Sequence, residues 1–206
     1  MDVRGRSQTL KVNYRTSHQI RQAADRLLPQ VLRDVDGLEE RRAGTVSVFS
    51  GPDPVVGRFE SPDAEITAVG EWVAAALKDG FAPSEIGVFV RDHQQLDRAR
   101  AAVKAAGQTS FVLSERDEDS GNRVSIGTMH LAKGLEFKAV AVMACDDEVL
   151  PLQARVAAVA DEVELDDVYE TERQLLYVAC TRARDRLLIS GVEPASEFLA
   201  DFSARV

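Results

Sequence analysis

The chain has no Gly-x-x-x-x-Gly-Lys-[Ser/Thr] run, the loop that cradles the phosphates of a nucleoside triphosphate. No apolar run is long enough to span a bilayer, and no stretch has the charged-then-apolar pattern of a secretory leader. Two cysteines, Cys145 and Cys180, are too few for a disulfide framework, and both sit in apolar surroundings. A reducing, cytoplasmic setting without a membrane partner is therefore expected. A basic surplus is missing as well. The net charge of −9 argues against an autonomous, sequence-independent DNA-binding domain.

What is present fits one globular domain: 206 residues, 45% hydrophobic and 29% charged, enough to bury a real core. Charge is unevenly spread. The window from Ala144 to Glu172 holds ten acidic residues and one basic residue, Arg155, whereas the remaining chain balances 24 against 24. A solvated acidic loop over about 146–172 is the expected reading.

Periodicity predicts an alternation of strands and helices. Leu10 to Val12 is a short apolar segment, and Thr16 with Gln19 makes a capping box for a helix ending before Pro29. Thr45 to Phe49 alternates like a strand. Ser61-Pro62 opens a helix that stops near Gly80, with Ile66, Val69, Val73 and Leu77 inward. Ile86–Val90, Ser110–Leu113, Val124–Gly127, Ala139–Met143 and Leu187–Ser190 read as strands. Gln94–Ala106, Val168–Ala183 and Ala195–Phe202 read as helices. The expected architecture is α/β, a mostly parallel sheet with helices on both faces. Ligands of such sheets bind outside the carboxyl ends of the strands, so Tyr14, Arg15 and the Thr128–Glu136 turn are expected to converge on that edge.

Three segments carry chemistry beyond structure. Tyr14 and Arg15 stand between a strand and a helix, where a ring can stack on a base and a guanidinium can grip phosphate. Thr128 to Phe137 packs a hydroxyl, His130, Lys133, Gly134 and Glu136 into a turn between strands. Glu136 is placed to accept ribose hydroxyls there, or to be a solvated charge. Arg182 closes a helix, either as a cation offsetting its dipole or as an arginine finger on a transferring phosphoryl group. His130 has no second His or Cys at metal-ligand spacing. The apolar strand before Asp146-Asp147-Glu148 imitates a Mg²⁺-holding element, but without a phosphate loop no residue is assigned to metal.

Together and in this order, these segments resemble the UvrD/Rep family of superfamily 1 DNA helicases. Val12-Asn13-Tyr14-Arg15-Thr16-Ser17 resembles motif IV, residues 128–137 resemble motif V, and residues 176–183 resemble motif VI. Ile86 to Arg91 is similar to a strand the family carries between the first two motifs. The resemblance implies that residues 1–206 form a single C-terminal RecA-like motor domain of an ATP-dependent DNA helicase, lacking its own phosphate loop. By position, Tyr14 would stack on adenine, Arg15 would contact the γ-phosphate, and Glu136 with Gly134 would lie at the nucleotide. Arg182 would be the finger, catalytic together with Arg15. Thr128, His130 and Lys133 would lie near single-stranded DNA or couple it to ATP.

The implied partners are single-stranded and duplex DNA and an N-terminal RecA-like domain. That domain would carry the phosphate loop and hold the Mg²⁺ of ATP. Alone, this chain is expected to hydrolyse nothing, and Met1 is expected to be a boundary rather than the start of the whole enzyme. The competing reading is a stand-alone, non-catalytic binding or scaffold module. Leu131 and Cys180 depart from the residues usual in the family. The 32 residues between Arg91 and Val124 leave no room for the large accessory domain of many relatives.

Overall fold

The computed structural model describes residues 12–13, 15–28, 31–33, 39–41, 46–114 and 121–203. Its elements in chain order are β1 (Val12–Asn13), α1 (His18–Ala24), β2 (Val31–Arg33), β3 (Glu39–Arg41), β4 (Val46–Ser47), β5 (Val55–Phe59), α2 (Pro62–Lys78), β6 (Ile86–Val90), α3 (Leu96–Ala105), β7 (Ser110–Val112), β8 (Val124–Thr128), β9 (Phe137–Val142), α4 (Gln153–Val156), α5 (Glu162–Cys180), β10 (Ala183–Val192) and α6 (Phe198–Ser203).

Six strands form one all-parallel sheet in the order β5-β10-β9-β6-β8-β7. β6 and β8 are buried along their whole length, as strands covered on both faces must be. The period-two alternation of β9 then divides the core. Val140 and Val142 pack with Ile20, Leu176 and Leu199 on one face, whereas Ala139 and Ala141 pack with Val69, Val73, Ala99 and Val103 on the other. Helices α1, α5 and α6 cover the first face, and α2 and α3 the second. The expected two-sided α/β fold is what forms.

Helix α2 shows why the sequence folds locally as it does. Ser61 accepts from the Ala64 N–H at 3.2 Å, Pro62 occupies the first turn, and Gly80 adopts φ +95° just past the end. At Gly191 a close approach requires glycine, because an added Cβ would lie 2.2 Å from the Cys145 carbonyl oxygen.

Several expectations are corrected. The N-cap of α1 is Ser17, not Thr16, since the Thr16 hydroxyl is drawn instead to the Thr181 carbonyl at 3.2 Å. Gln19 leaves the capping box to bind Ser50 and the Gly51 N–H. Of the strand expected over Thr45–Phe49, Val46–Ser47 forms, paired in parallel with β1, Val48 and Phe49 do not join it, and Thr45 lies outside the described residues. β5 and the antiparallel pair β2–β3 were not foreseen. The acidic window is not one loop, because α5 begins at Glu162, capped by the Asp161 carboxylate on the Glu164 N–H at 2.9 Å. Leu10 and Pro29 lie outside the described residues.

Candidate functional site

The chain places its chemistry at two opposite edges of the sheet. At the amino ends of β9 and β10, a pocket of about 430 Å³ is lined by Asn13, Arg15, Thr16, Arg21, Glu136, Tyr177, Thr181 and Arg182. Strand pairing builds it. Ala183 stands beside Phe137, and the Phe137 N–H donates to the Arg182 carbonyl at 3.0 Å, so the residues just before each strand become neighbours. The Ser17 N–H donates to the Arg184 carbonyl at 2.9 Å and brings the Asn13–Ser17 segment alongside.

Within this pocket Arg15 Nε stands 2.5 Å from Glu136 Oε1. The Arg182 guanidinium folds over the end of α5, where Nε donates to the Val178 carbonyl at 2.9 Å and Nη2 to Thr181 Oγ1 at 3.3 Å. Burial, and then the like charge of Arg15, lower the Arg182 pKa from its ordinary value. Two guanidiniums and one carboxylate thus face a cavity with a third cation, Arg21, at its wall. A triphosphate attached to a ribose suits that pattern.

At the carboxyl ends of β6, β7 and β8 lies a second pocket of about 520 Å³. It is lined by Arg91, Asp92, His93, Leu113, Ser114, Thr128, His130 and Leu131. Burial, and then the charge of Arg91, lower the His130 pKa, so its imidazole is neutral near pH 7.

The expectation of one shared edge is therefore corrected. Thr128 and His130 sit at the carboxyl edge, but Arg15 and Glu136 sit at the amino edge. The reason is topological. β8 and β9 run parallel with β6 between them, so residues 129–136 must return the full height of the sheet rather than turn tightly. A short 3₁₀ segment, Met129–Ala132, starts that return. Lys133 and Gly134 are exposed midway and line neither pocket; Gly134 takes φ +87° with open space around it. Tyr14 lies outside the described residues.

Sequence reasoning missed two buried carboxylates. Glu172 of α5 is fully buried and receives Arg91 Nε at 2.5 Å, Arg91 Nη2 at 2.6 Å and Arg155 Nη1 at 2.8 Å. Burial pushes its carboxyl up, yet the hydrogen bonds and charges of Arg91 and Arg155 prevail and hold its pKa below the ordinary value. Glu65 of α2, also fully buried, accepts from Ser190 Oγ at 2.6 Å and the Ala144 N–H at 3.0 Å, and pairs with Arg98. Burial dominates there and raises its pKa. Arg98 in turn holds Asp146, whose carboxylate also accepts from the Val192 N–H at 2.7 Å. Asp146, the first residue of the Mg²⁺-imitating run, is thus tied into the fold. Among the described residues no group of three or more His, Cys, Asp or Glu is placed to hold a metal, and no helix is long and apolar enough to cross a membrane.

Residues 106–193 match the family described as UvrD-like helicase C-terminal domain. The ATP-dependent DNA helicase UvrD1 of Mycobacterium leprae is 41% identical over 92 residues, covering 43% of this chain and 11% of that protein. The ATP-dependent DNA helicase PcrA of Staphylococcus epidermidis is 38% identical over 81 residues, covering 39% of this chain and 10% of the relative. The chain thus spans about a tenth of the length of the curated relatives it matches. The solved C-terminal domain of a possible DNA helicase from Lactobacillus plantarum WCFS1 shares the fold, with a TM-score of 0.62 and 22% identity, covering 92% of this chain and 94% of that one. Over residues 106–193, which include the segments resembling motif V and motif VI, the chain is similar to a UvrD-like helicase C-terminal domain.

Proposed function

We propose that this chain is the second motor domain of an ATP-dependent DNA helicase and contributes half of an interdomain ATP site. One observation carries the reading. Arg15, Glu136 and Arg182, from three distant segments, line a single pocket at the amino edge, while Thr128 and His130 line another at the carboxyl edge.

In this reading a separate N-terminal motor domain supplies the phosphate loop and the ligands of Mg²⁺, and its face closes the amino-edge pocket. Tyr14 stacks on adenine, Glu136 accepts from the ribose, and Gly134 gives the chain leading to Glu136 the left-handed backbone it needs. Arg15 and Arg182 neutralise charge on the γ-phosphoryl group as it transfers, a contribution that grows in a closed, water-poor cleft. Single-stranded DNA, drawn from a duplex ahead, runs past Thr128, His130 and Lys133. Closure of the cleft on ATP then moves one domain along the strand relative to the other. The protein works in the cytoplasm.

The test is reconstitution with a phosphate-loop domain. The combined domains are expected to hydrolyse ATP in a DNA-stimulated manner, and this chain alone is expected not to. Turnover by the isolated chain that Arg182→Ala abolishes would overturn the division of labour. Absence of turnover in every combination would favour the scaffold reading.

A further inference from the structure

Glu172 is fully buried, pairs with an arginine of the carboxyl-edge pocket and rides on the helix that ends at the amino-edge pocket. Arg91 follows β6 directly and lines the carboxyl-edge pocket, yet its guanidinium is spent on a bidentate pair with Glu172. Arg155 on α4 adds a second cation from the partly exposed side. Two guanidiniums on one carboxylate leave the trio with one surplus positive charge beside that pocket. From Glu172 the chain runs along α5 for eight residues to Cys180, about 12 Å of helix, and Arg182 follows two residues later. Its last turn ends on the Thr181 carbonyl, which accepts from Thr16, and on Arg182 itself.

We propose that the Arg91–Glu172–Arg155 trio is a positioning relay. An anionic strand in the carboxyl-edge pocket engages Arg91, Glu172 answers the change in its pairing, and α5 carries the adjustment to Arg182. The inference rests on the proposed function, since it takes single-stranded DNA as the anion. Glu172 touches neither ligand; it acts through Arg91 on one side and α5 on the other. Its physical basis is the pairing itself. A buried carboxylate cannot lose part of its counter-charge without either drawing Arg155 closer or moving. Arg155, 39% exposed, is the partner with room to move.

The test uses this chain reconstituted with a phosphate-loop domain, with oligodeoxythymidine as the probe. Binding is followed by fluorescence anisotropy. The Arg182 Nε–Hε resonance, held by the Val178 carbonyl, is followed by NMR. At saturating oligonucleotide the wild-type Arg182 resonance is expected to shift. In Glu172→Gln the shift is expected to be lost while binding persists, and Glu172→Asp, which keeps the charge, is expected to restore part of it. Arg155→Gln, a change at a partly exposed side chain that leaves the Arg91 pair intact, removes the partner that Glu172 could draw closer and is expected to enlarge the shift at saturation. This second variant keeps the test open if the buried substitutions fail to fold.

A shift that survives in a folded Glu172→Gln, or is not enlarged in Arg155→Gln, overturns the relay. So does wild-type binding without any shift at Arg182, and in that case the DNA-track reading stands. No binding of oligodeoxythymidine to the wild type overturns the track reading, and the relay with it.

Discussion

Arg15 and Glu136 neutralise each other inside the amino-edge pocket, Nε to Oε1 at 2.5 Å. Each side chain is about half exposed, 48% and 57%, so the pair adds no more than about 1 kcal/mol. A ligand with one acceptor for Arg15 and hydroxyl donors for Glu136 can replace both halves of that contact at little cost. The pair keeps two ligand-binding groups in place without locking them.

Glu136→Gln in the reconstituted enzyme is therefore expected to weaken ATP binding about tenfold or more, the worth of one hydrogen bond to a charged acceptor. Binding of inorganic tripolyphosphate, which lacks the ribose, should not weaken. Equal losses for both ligands, measured by calorimetry, would reject the ribose contact.

Arg182→Ala and Arg15→Ala should separate turnover from binding. If both guanidiniums act on the transferring phosphoryl group, kcat falls by about 10³ or more while the ATP dissociation constant changes far less. Steady-state ATPase with equilibrium binding on the same preparations decides it. An unaltered kcat in either variant removes that arginine from the chemistry.

Glu172→Ala leaves Arg91, which is 4% exposed, without its carboxylate and should destabilise the domain by about 3–5 kcal/mol in urea unfolding. Replacing both partners, Arg91→Met with Glu172→Leu, should recover much of that loss. A single variant as stable as the wild type would mean that water or a neighbour reaches Arg91 readily.

The two buried glutamates should give opposite pH dependences. Glu172 has a folded pKa below the ordinary 4.5, so its stabilisation is present above that value and is lost as pH falls through the lowered one. Glu65 has a raised folded pKa, so its contribution is present below 4.5 and is lost as pH rises through the raised one. Relative to wild type, Glu65→Gln should gain stability as pH climbs from 4.5, and Glu172→Gln should lose it as pH climbs towards 4.5. Parallel pH profiles of the two variants would contradict the assignment.

Gly191→Ala and Gly134→Ala should differ in kind. At Gly191 the new Cβ meets backbone at 2.2 Å, so the sheet must shift and the cost should exceed the roughly 1–3 kcal/mol of ordinary overpacking. At Gly134 nothing obstructs the Cβ, and only the left-handed backbone is strained, by about 1–2 kcal/mol. Comparison of their thermal unfolding tests the order.

Elements whose own residues decide them were legible in the sequence. The apolar runs of β6, β8 and β9 and the capped, glycine-stopped α2 formed where expected, because burial on both faces and a Ser-Pro cap leave few alternatives. β5 escaped because an edge strand with Gly57 and Arg58 in its middle shows neither a continuous nor an alternating pattern. Glu65 and Glu172 escaped because a helical carboxylate looks like any surface charge until its distant partners, Arg98 and Arg91, are in place. Of the site, Arg15, Glu136 and Arg182 were legible as chemistry and, through the resemblance, as groups of one nucleotide site, but the parting of Thr128 from Glu136 was not. Thr128 and Glu136 are close in sequence, and only the parallel pairing sends them to opposite edges.

The return from Thr128 to Phe137 has almost no slack. Four 3₁₀ residues rise about 8 Å, the turn that the Leu135 N–H closes on the Ala132 carbonyl spans at most about 7 Å, and two further residues add about 7 Å, against a rise of about 20 Å for the six residues of β9. Removing one residue shortens the tether by about 3 Å, and inserting one loosens it by as much. Its length is thus fixed as firmly as any side chain in it. A displacement at one end is passed to the other as tension rather than absorbed as a bend.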